Sequence, residues 1–116
     1  MKTVKQVAVE NAGRERRVEY RLHYPPELSP ALTIGTQKLQ VLDISENGVR
    51  FAASEQDLAS VDGQLVATVR FHRGGEHPIA GKVVRIAGGD IAARLEQGFD
   101  FRTIAQEHDW VMMHLA

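Results

Sequence analysis

The feature that most constrains this chain is its punctuation: short runs of alternating apolar and polar residues, cut apart by glycine and proline. Alternation with a period of two sends successive side chains to opposite faces of a strand, a pattern that no helix face matches. Val18, Tyr20, Leu22 and Tyr24 share one side of such a run, with Glu19, Arg21 and His23 on the other, and Pro25-Pro26 ends it because proline cannot donate to a ladder. A second extended stretch runs from about Thr36 to Ile44, with Leu39 and Val41 alternating against Lys38 and Gln40. Ser45-Glu46-Asn47-Gly48 turns the chain, and Val49-Arg50-Phe51-Ala52 returns as its hairpin partner. Gln64 to His72, Ile79 to Ile86 and Ile91 to Glu96 continue the series, separated by Gly74-Gly75 and Gly88-Gly89. These six short strands predict a mainly β fold, a small six-stranded antiparallel barrel.

The period changes at the end of the chain. Phe101, Ile104, His108, Val111 and Leu115 recur at helical spacing, and Thr103-Ile104-Ala105-Gln106 has the form of a capping box. A C-terminal helix is expected to cover one opening or side of the barrel with an apolar face that includes Trp110 and a methionine. Residues 1–13 show little periodicity beyond Val4, Val7 and Val9 and are expected to form a flexible arm, leaving residues 14–116 as a single domain.

The chain has no cysteine, which excludes disulfides, thiol catalysis and thiolate metal sites and suits a cytoplasmic setting. No apolar run approaches the roughly 20 residues of a membrane-spanning helix, so no membrane insertion is expected. The five histidines have no compact ligand spacing with carboxylates, and no metal site or cofactor is expected. Net charge is −1, which argues against binding nucleic acid through many phosphates. The distribution of charge is uneven: residues 1–24 hold six basic and three acidic residues, and residues 25–116 hold eight against twelve. A small cationic site suits a ligand with a few negative charges better than a polymer.

Two clusters carry the chemistry. Arg16-Arg17 is followed by Arg21 in the spacing R-x-x-x-R, and Asp43-Ile44-Ser45-Glu46-Asn47-Gly48 has the form D-x-S-x-x-G. Taken singly, the arginines read as a solvated strand face beside Glu15 and Glu19, and the second cluster as a structural turn. Their conjunction, one entering the first strand and the other leaving the second, is what carries information. In an extended chain Arg17 and Arg21 share a face about 13 Å apart and can grip two parts of one elongated ligand. A guanidinium meets the O6 and N7 edge of guanine or bridges phosphate oxygens, and an ionised Asp43 accepts from the N1–H and N2–H edge. Ser45 is placed to bond the turn or a ligand, and Gly48 to supply a positive φ and close approach. Arg14 and Arg50 stand beside this set as accessory positions.

Arg16-Arg17-x-x-x-Arg21 followed by Asp43-x-Ser45-x-x-Gly48 resembles the PilZ family. The resemblance implies a six-stranded antiparallel barrel with a C-terminal helix, which binds cyclic di-GMP through Arg16, Arg17, Arg21, Asp43, Ser45 and Gly48. It further implies a cytoplasmic receptor or adaptor without catalytic activity, which signals to a downstream protein in motility, exopolysaccharide or biofilm control. Ala92-Ala93-Arg94-Leu95-Glu96 departs from the family's glycine-containing ending, and no binding residue is carried over from it. Two other readings stay open: an interaction module of the same fold without a nucleotide ligand, and a small barrel that binds single strands through its basic arm with Tyr20 and Tyr24.

Overall fold

The computed structural model describes residues 20–53 and 63–115. The expected arm at 1–13, and Arg14, Arg16, Arg17 and Val18 with it, lie outside the described residues. Seven strands and one long helix follow in order: β1 (Arg21–His23), β2 (Ala31–Ile34), β3 (Gln37–Ser45), β4 (Gly48–Ala52), β5 (Gln64–Phe71), β6 (Gly75–Ala87), β7 (Asp90–Leu95) and α1 (Phe101–His114). Neighbouring strands are antiparallel in the order β3, β2, β5, β6, β7, β4, and β4 pairs back onto β3, so six strands close a barrel. Among the described residues no helix is long and apolar enough to cross a membrane.

The six-stranded barrel expected from the sequence is present, with one change in membership. Ala31–Ile34 is a strand that the sequence reading passed over, and it is β2 that closes the ring. The strand at Arg21–His23 instead shares a flank of β3 with β2: β1 pairs with Asp43 to Ser45, and β2 pairs with Gln37 to Gln40. Prolines 25, 26 and 30 force the chain out of the ladder between them, through a single 3-10 turn at Pro26–Leu28. The other turns follow the glycine signals, clearest at Gly88-Gly89, where both residues have positive φ and join Ala87 to Asp90 in a two-residue hairpin.

The barrel interior is filled by Leu22, Leu32, Val41, Ile44, Val49, Phe51, Leu65, Val69, Phe71, Ile91 and Leu95. Val41 and Ile44 are three residues apart, so strict alternation cannot send both inward. A register shift between Val41 and Asp43 resolves this: Val41 pairs with Phe51 while Asp43 pairs with Arg50, leaving Leu42 as the extra residue of a bulge. The bulge reverses the phase of β3, so Asp43 and Ser45 lie on the outer face of the sheet.

Helix α1 packs on the barrel through Ile104, Glu107 and Val111. This corrects the expected apolar face: Phe101, Met112, Met113 and Leu115 are exposed, and Trp110 packs only partly against the core. The expected capping box is also absent. The helix starts at Phe101, three residues before the start that a Thr103 cap implies, and Asp100 occupies the N-cap without a side-chain bond.

Glu107 sits at the centre of the buried stripe, 1% exposed. Its Oε1 accepts the Tyr24 hydroxyl at 2.6 Å and lies 2.9 Å from His72 Nδ1, and its Oε2 accepts the His72 backbone N–H at 2.9 Å. Trp110 stacks on the His72 ring, with centroids 3.6 Å apart and planes 5° from parallel. Three polar groups and one stack thus fix the helix to the barrel. Burial and the acceptor Glu107 push the Tyr24 hydroxyl pKa far above its ordinary value.

Candidate functional site

The paired registers place the sequence motifs in rows across the outer face of the sheet. Directly opposed residues of an antiparallel pair lie on the same face. Arg21 opposes Ser45, Ser45 opposes Gly48, Gly48 opposes Arg94, and Arg94 opposes Lys82. One step along the strands, His23 opposes Asp43, Asp43 opposes Arg50, Arg50 opposes Ala92, and Ala92 opposes Arg85. Residues distant in sequence thus become lateral neighbours through backbone pairing alone.

Along the first row lies a groove of about 440 Å³, lined by Arg21, Ser45, Asn47, Gly48, Ala92, Arg94 and neighbouring positions. That volume falls in the usual range for small-molecule sites, about 300–1,000 Å³. Ser45 is fully buried by its neighbours, and its Oγ has no hydrogen-bond partner among the described residues. A buried hydroxyl without a partner is costly, and Ser45 is one of the residues that line the groove. Gly48 does not have the positive φ expected of it. Its requirement is space: a Cβ there would stand 3.2 Å from the Ala93 carbonyl oxygen and 3.4 Å from Ser45 Oγ.

Asp43, in the second row beside the groove, is 1% exposed. Arg21 Nη1 donates to its Oδ1 at 2.7 Å, and Arg50 Nε donates to its Oδ2 at 2.7 Å. His23 Nδ1 lies 3.5 Å from Oδ2. Arg50 reaches further, with Nη1 donating to Asp90 Oδ2 at 2.9 Å, and Arg85 approaches the other oxygen of Asp90 at 3.9 Å. The hydrogen bond to Asp43 holds the Arg50 proton above the usual guanidinium range against the opposing effect of burial, and the charges of Asp43 and Asp90 add to it. Arg50 is therefore a fixed cation. Both oxygens of Asp43 are already engaged, so in this arrangement the carboxylate positions two arginines before it touches anything else.

The structure thus brings together Arg21, Asp43, Ser45, Gly48 and the accessory Arg50, while Arg14, Arg16 and Arg17 lie outside the described residues. Arg94 on the far wall was not anticipated. The signal was available in the alternation of β7, where Ala93 and Leu95 are buried and Arg94 between them must face outward.

A family model for the PilZ domain matches residues 15–113, a span that contains both motifs and all but the last residue of the helix. The chain belongs to the PilZ family. The resemblance drawn from the two motifs is thereby confirmed. No curated protein matches it significantly in sequence. Among solved structures, this PilZ chain is similar to an uncharacterised Legionella protein with a TM-score of 0.56 and 14% identity, covering 81% of this chain and 92% of that one. It is similar to the PilZ domain of Escherichia coli YcgR, solved with c-di-GMP, with a TM-score of 0.56 and 13% identity over 85% and 91% of the two chains. The Bacillus subtilis inhibitor of motility MotI/DgrA gives a TM-score of 0.51 and 14% identity over 85% of this chain, which spans about half (51%) of that one. Likeness at these identities speaks for the PilZ fold.

Proposed function

We propose that this PilZ domain is a non-catalytic receptor for cyclic di-GMP that passes its bound state to a partner protein. One observation carries the reading: the β1–β3 and β3–β4 registers set Arg21, Ser45 and Gly48 side by side along one groove, with the unpartnered Ser45 hydroxyl on its floor. Membership of a family of receptor and adaptor domains supports it, as does the likeness to a YcgR domain solved with c-di-GMP.

Arg21 is 43% exposed and held at one end by Asp43, so its remaining donors are available to a guanine edge or a phosphate. Ser45 Oγ supplies a hydrogen bond from the floor, and Gly48 lets the ligand approach the backbone. Asp43 acts first as the anchor of Arg21 and Arg50. It takes the N1–H and N2–H edge of guanine only when Arg21 swings toward the ligand, an exchange of one charge-assisted bond for two. Arg16 and Arg17 precede Arg21 and complete the basic side of the site. The setting is cytoplasmic, and the output falls within motility, exopolysaccharide or biofilm control.

The test is a calorimetric titration with cyclic di-GMP, with GTP and cyclic di-AMP as controls. Selective heat that disappears in Arg21→Ala, with the fold retained by circular dichroism, is expected. Unchanged affinity in Arg21→Ala would overturn the site. A folded wild-type protein that gives no heat would leave the interaction-module reading, for which Phe101, Met112 and Met113 offer exposed apolar surface on α1.

A further inference from the structure

The row that begins at Arg21 does not stop at the D-x-S-x-x-G turn. It crosses β4 at Gly48 and continues to Arg94 on β7 and Lys82 on β6. With strands about 4.8 Å apart, Arg21 and Arg94 stand three steps, roughly 14 Å, from each other. Only Ser45 and Gly48 lie between them, and both have little side chain. The groove is therefore a low floor between two long cationic side chains, one on each wall.

The basic residues of this face differ in charge balance. Beside the groove, Arg21 and Arg50 share Asp43, and Arg50 and Arg85 share Asp90, in one network that crosses from β1 to β6. Three arginines against two aspartates leave a single uncompensated positive charge spread over that network. Arg94 is exposed and its side chain makes no hydrogen bond or ion pair with any described residue, and neither does that of its neighbour Lys82. A guanidinium on a groove wall with no carboxylate partner is the one whose full charge is available to a ligand. Position separates its role from that of the floor: Ser45 is buried at the base, whereas Arg94 stands at the solvent-facing rim, where phosphates keep part of their hydration.

We propose that Arg94 is a ligand-binding residue of the PilZ groove, which takes a phosphate of the bound dinucleotide from the wall opposite Arg21, with Lys82 reinforcing the positive field. This rests on the receptor reading above and adds a second point of charge recognition, from a strand outside both sequence motifs. A ligand with two phosphates would be held at both walls, whereas a mononucleotide spanning one wall would not.

The experiment is calorimetric titration of the full chain with cyclic di-GMP, comparing wild type, Arg94→Ala, Arg94→Lys and Arg21→Ala at two salt concentrations. Thermal melts should be unchanged for Arg94→Ala, because its side chain bonds no other described residue. Its affinity should fall about tenfold or more, with a shallower dependence on salt, and Arg94→Lys should recover most of the loss because a phosphate needs the charge. Wild-type affinity in Arg94→Ala, with binding lost in Arg21→Ala, would overturn the Arg94 assignment and leave the receptor reading intact. Arg94→Lys binding as weakly as Arg94→Ala would overturn the phosphate role. A wild-type protein that does not bind would remove the receptor reading, and this inference with it.

Discussion

Replacing Asp43 by alanine should destabilise the domain by about 2–3 kcal/mol, more than its polar character and position near a turn would suggest. The carboxylate makes two 2.7 Å bonds to guanidinium groups. Hydrogen bonds to charged groups contribute about 1.5–3 kcal/mol each when shielded. Arg21 is 43% exposed and Arg50 is 28% exposed, so solvent screens both partners and the lower part of that range applies. For a domain of about 100 residues, 2–3 kcal/mol lowers the melting temperature by roughly 10–20 °C. Asp43→Asn should lose at least half as much, because its carbonyl can accept from one guanidinium while its amide faces the other. Arg21→Ala should cost less than about 1 kcal/mol, since Asp43 keeps Arg50. Urea denaturation at neutral pH measures all three, with unchanged slope as the check that only stability has moved. The reasoning fails if Asp43→Ala melts within about 0.5 kcal/mol of wild type, or if Arg21→Ala costs as much as Asp43→Ala.

Two further outcomes follow from the packing. The Tyr24 hydroxyl has its pKa raised by burial first and by Glu107 second, so below about pH 10 it is neutral in both the folded and unfolded states and its contribution is fully present. As pH rises beyond that, the unfolded state releases the proton and the folded state does not, and stability falls by up to about 1.4 kcal/mol per pH unit. Tyr24→Phe, less stable at pH 7 by about 1 kcal/mol, should lack this slope, so stability curves measured from pH 8 to 11 should converge; parallel curves would contradict the burial. Gly81→Ala would drive a Cβ into the Arg94 carbonyl, forcing β6 and β7 apart. A loss of more than about 2 kcal/mol is expected in denaturant melts, together with weaker cyclic di-GMP binding because Arg94 is displaced. A stable Gly81→Ala with wild-type affinity would show that the two strands have slack.

The parts of the molecule legible in the sequence are those governed by local periodicity and turn chemistry. The alternating run at Gln64–Phe71 and the turns at Gly74-Gly75 and Gly88-Gly89 were readable because each is decided within a few residues. Ala31–Ile34 was passed over because it has four residues, stands after three prolines, and is made a strand by pairing on both sides, with β3 and β5. Glu107 was invisible for a similar reason: an acid between Ile104 and Val111 reads as a break in an apolar stripe until Tyr24 and His72 supply its partners from other elements. The motif residues Arg21, Asp43, Ser45 and Gly48 stood out by residue type and spacing and were then tied to a family by resemblance, while Arg94, which no motif contains, gained its meaning from the registers that place it beside Gly48.

The bulge in β3 explains why a polar site can be built on a strand that also fills the core. Continuing the alternation of Leu39 and Val41 would carry Asp43 and Ser45 inward, where a carboxylate would face Phe51 and Ile91 without a partner. The extra residue Leu42 reverses the phase, so Ile44 takes the inward place and the two polar residues turn out to meet Arg21, Arg50 and the groove. The same step leaves them almost wholly covered by their neighbours, in surroundings where a hydrogen bond is stronger than in water and a missing one is more costly. Asp43 resolves that cost with two arginines, and Ser45 does not resolve it within the described residues. A site that is rigid, desolvated and one hydrogen bond short is preorganised for a ligand that supplies that bond. This follows from a single inserted residue: deleting Leu42 would leave Val41-Asp43-Ile44-Ser45 in plain alternation with the same facing, so the deletion should remove the bulge and keep Ile44 inward and the two polar residues outward.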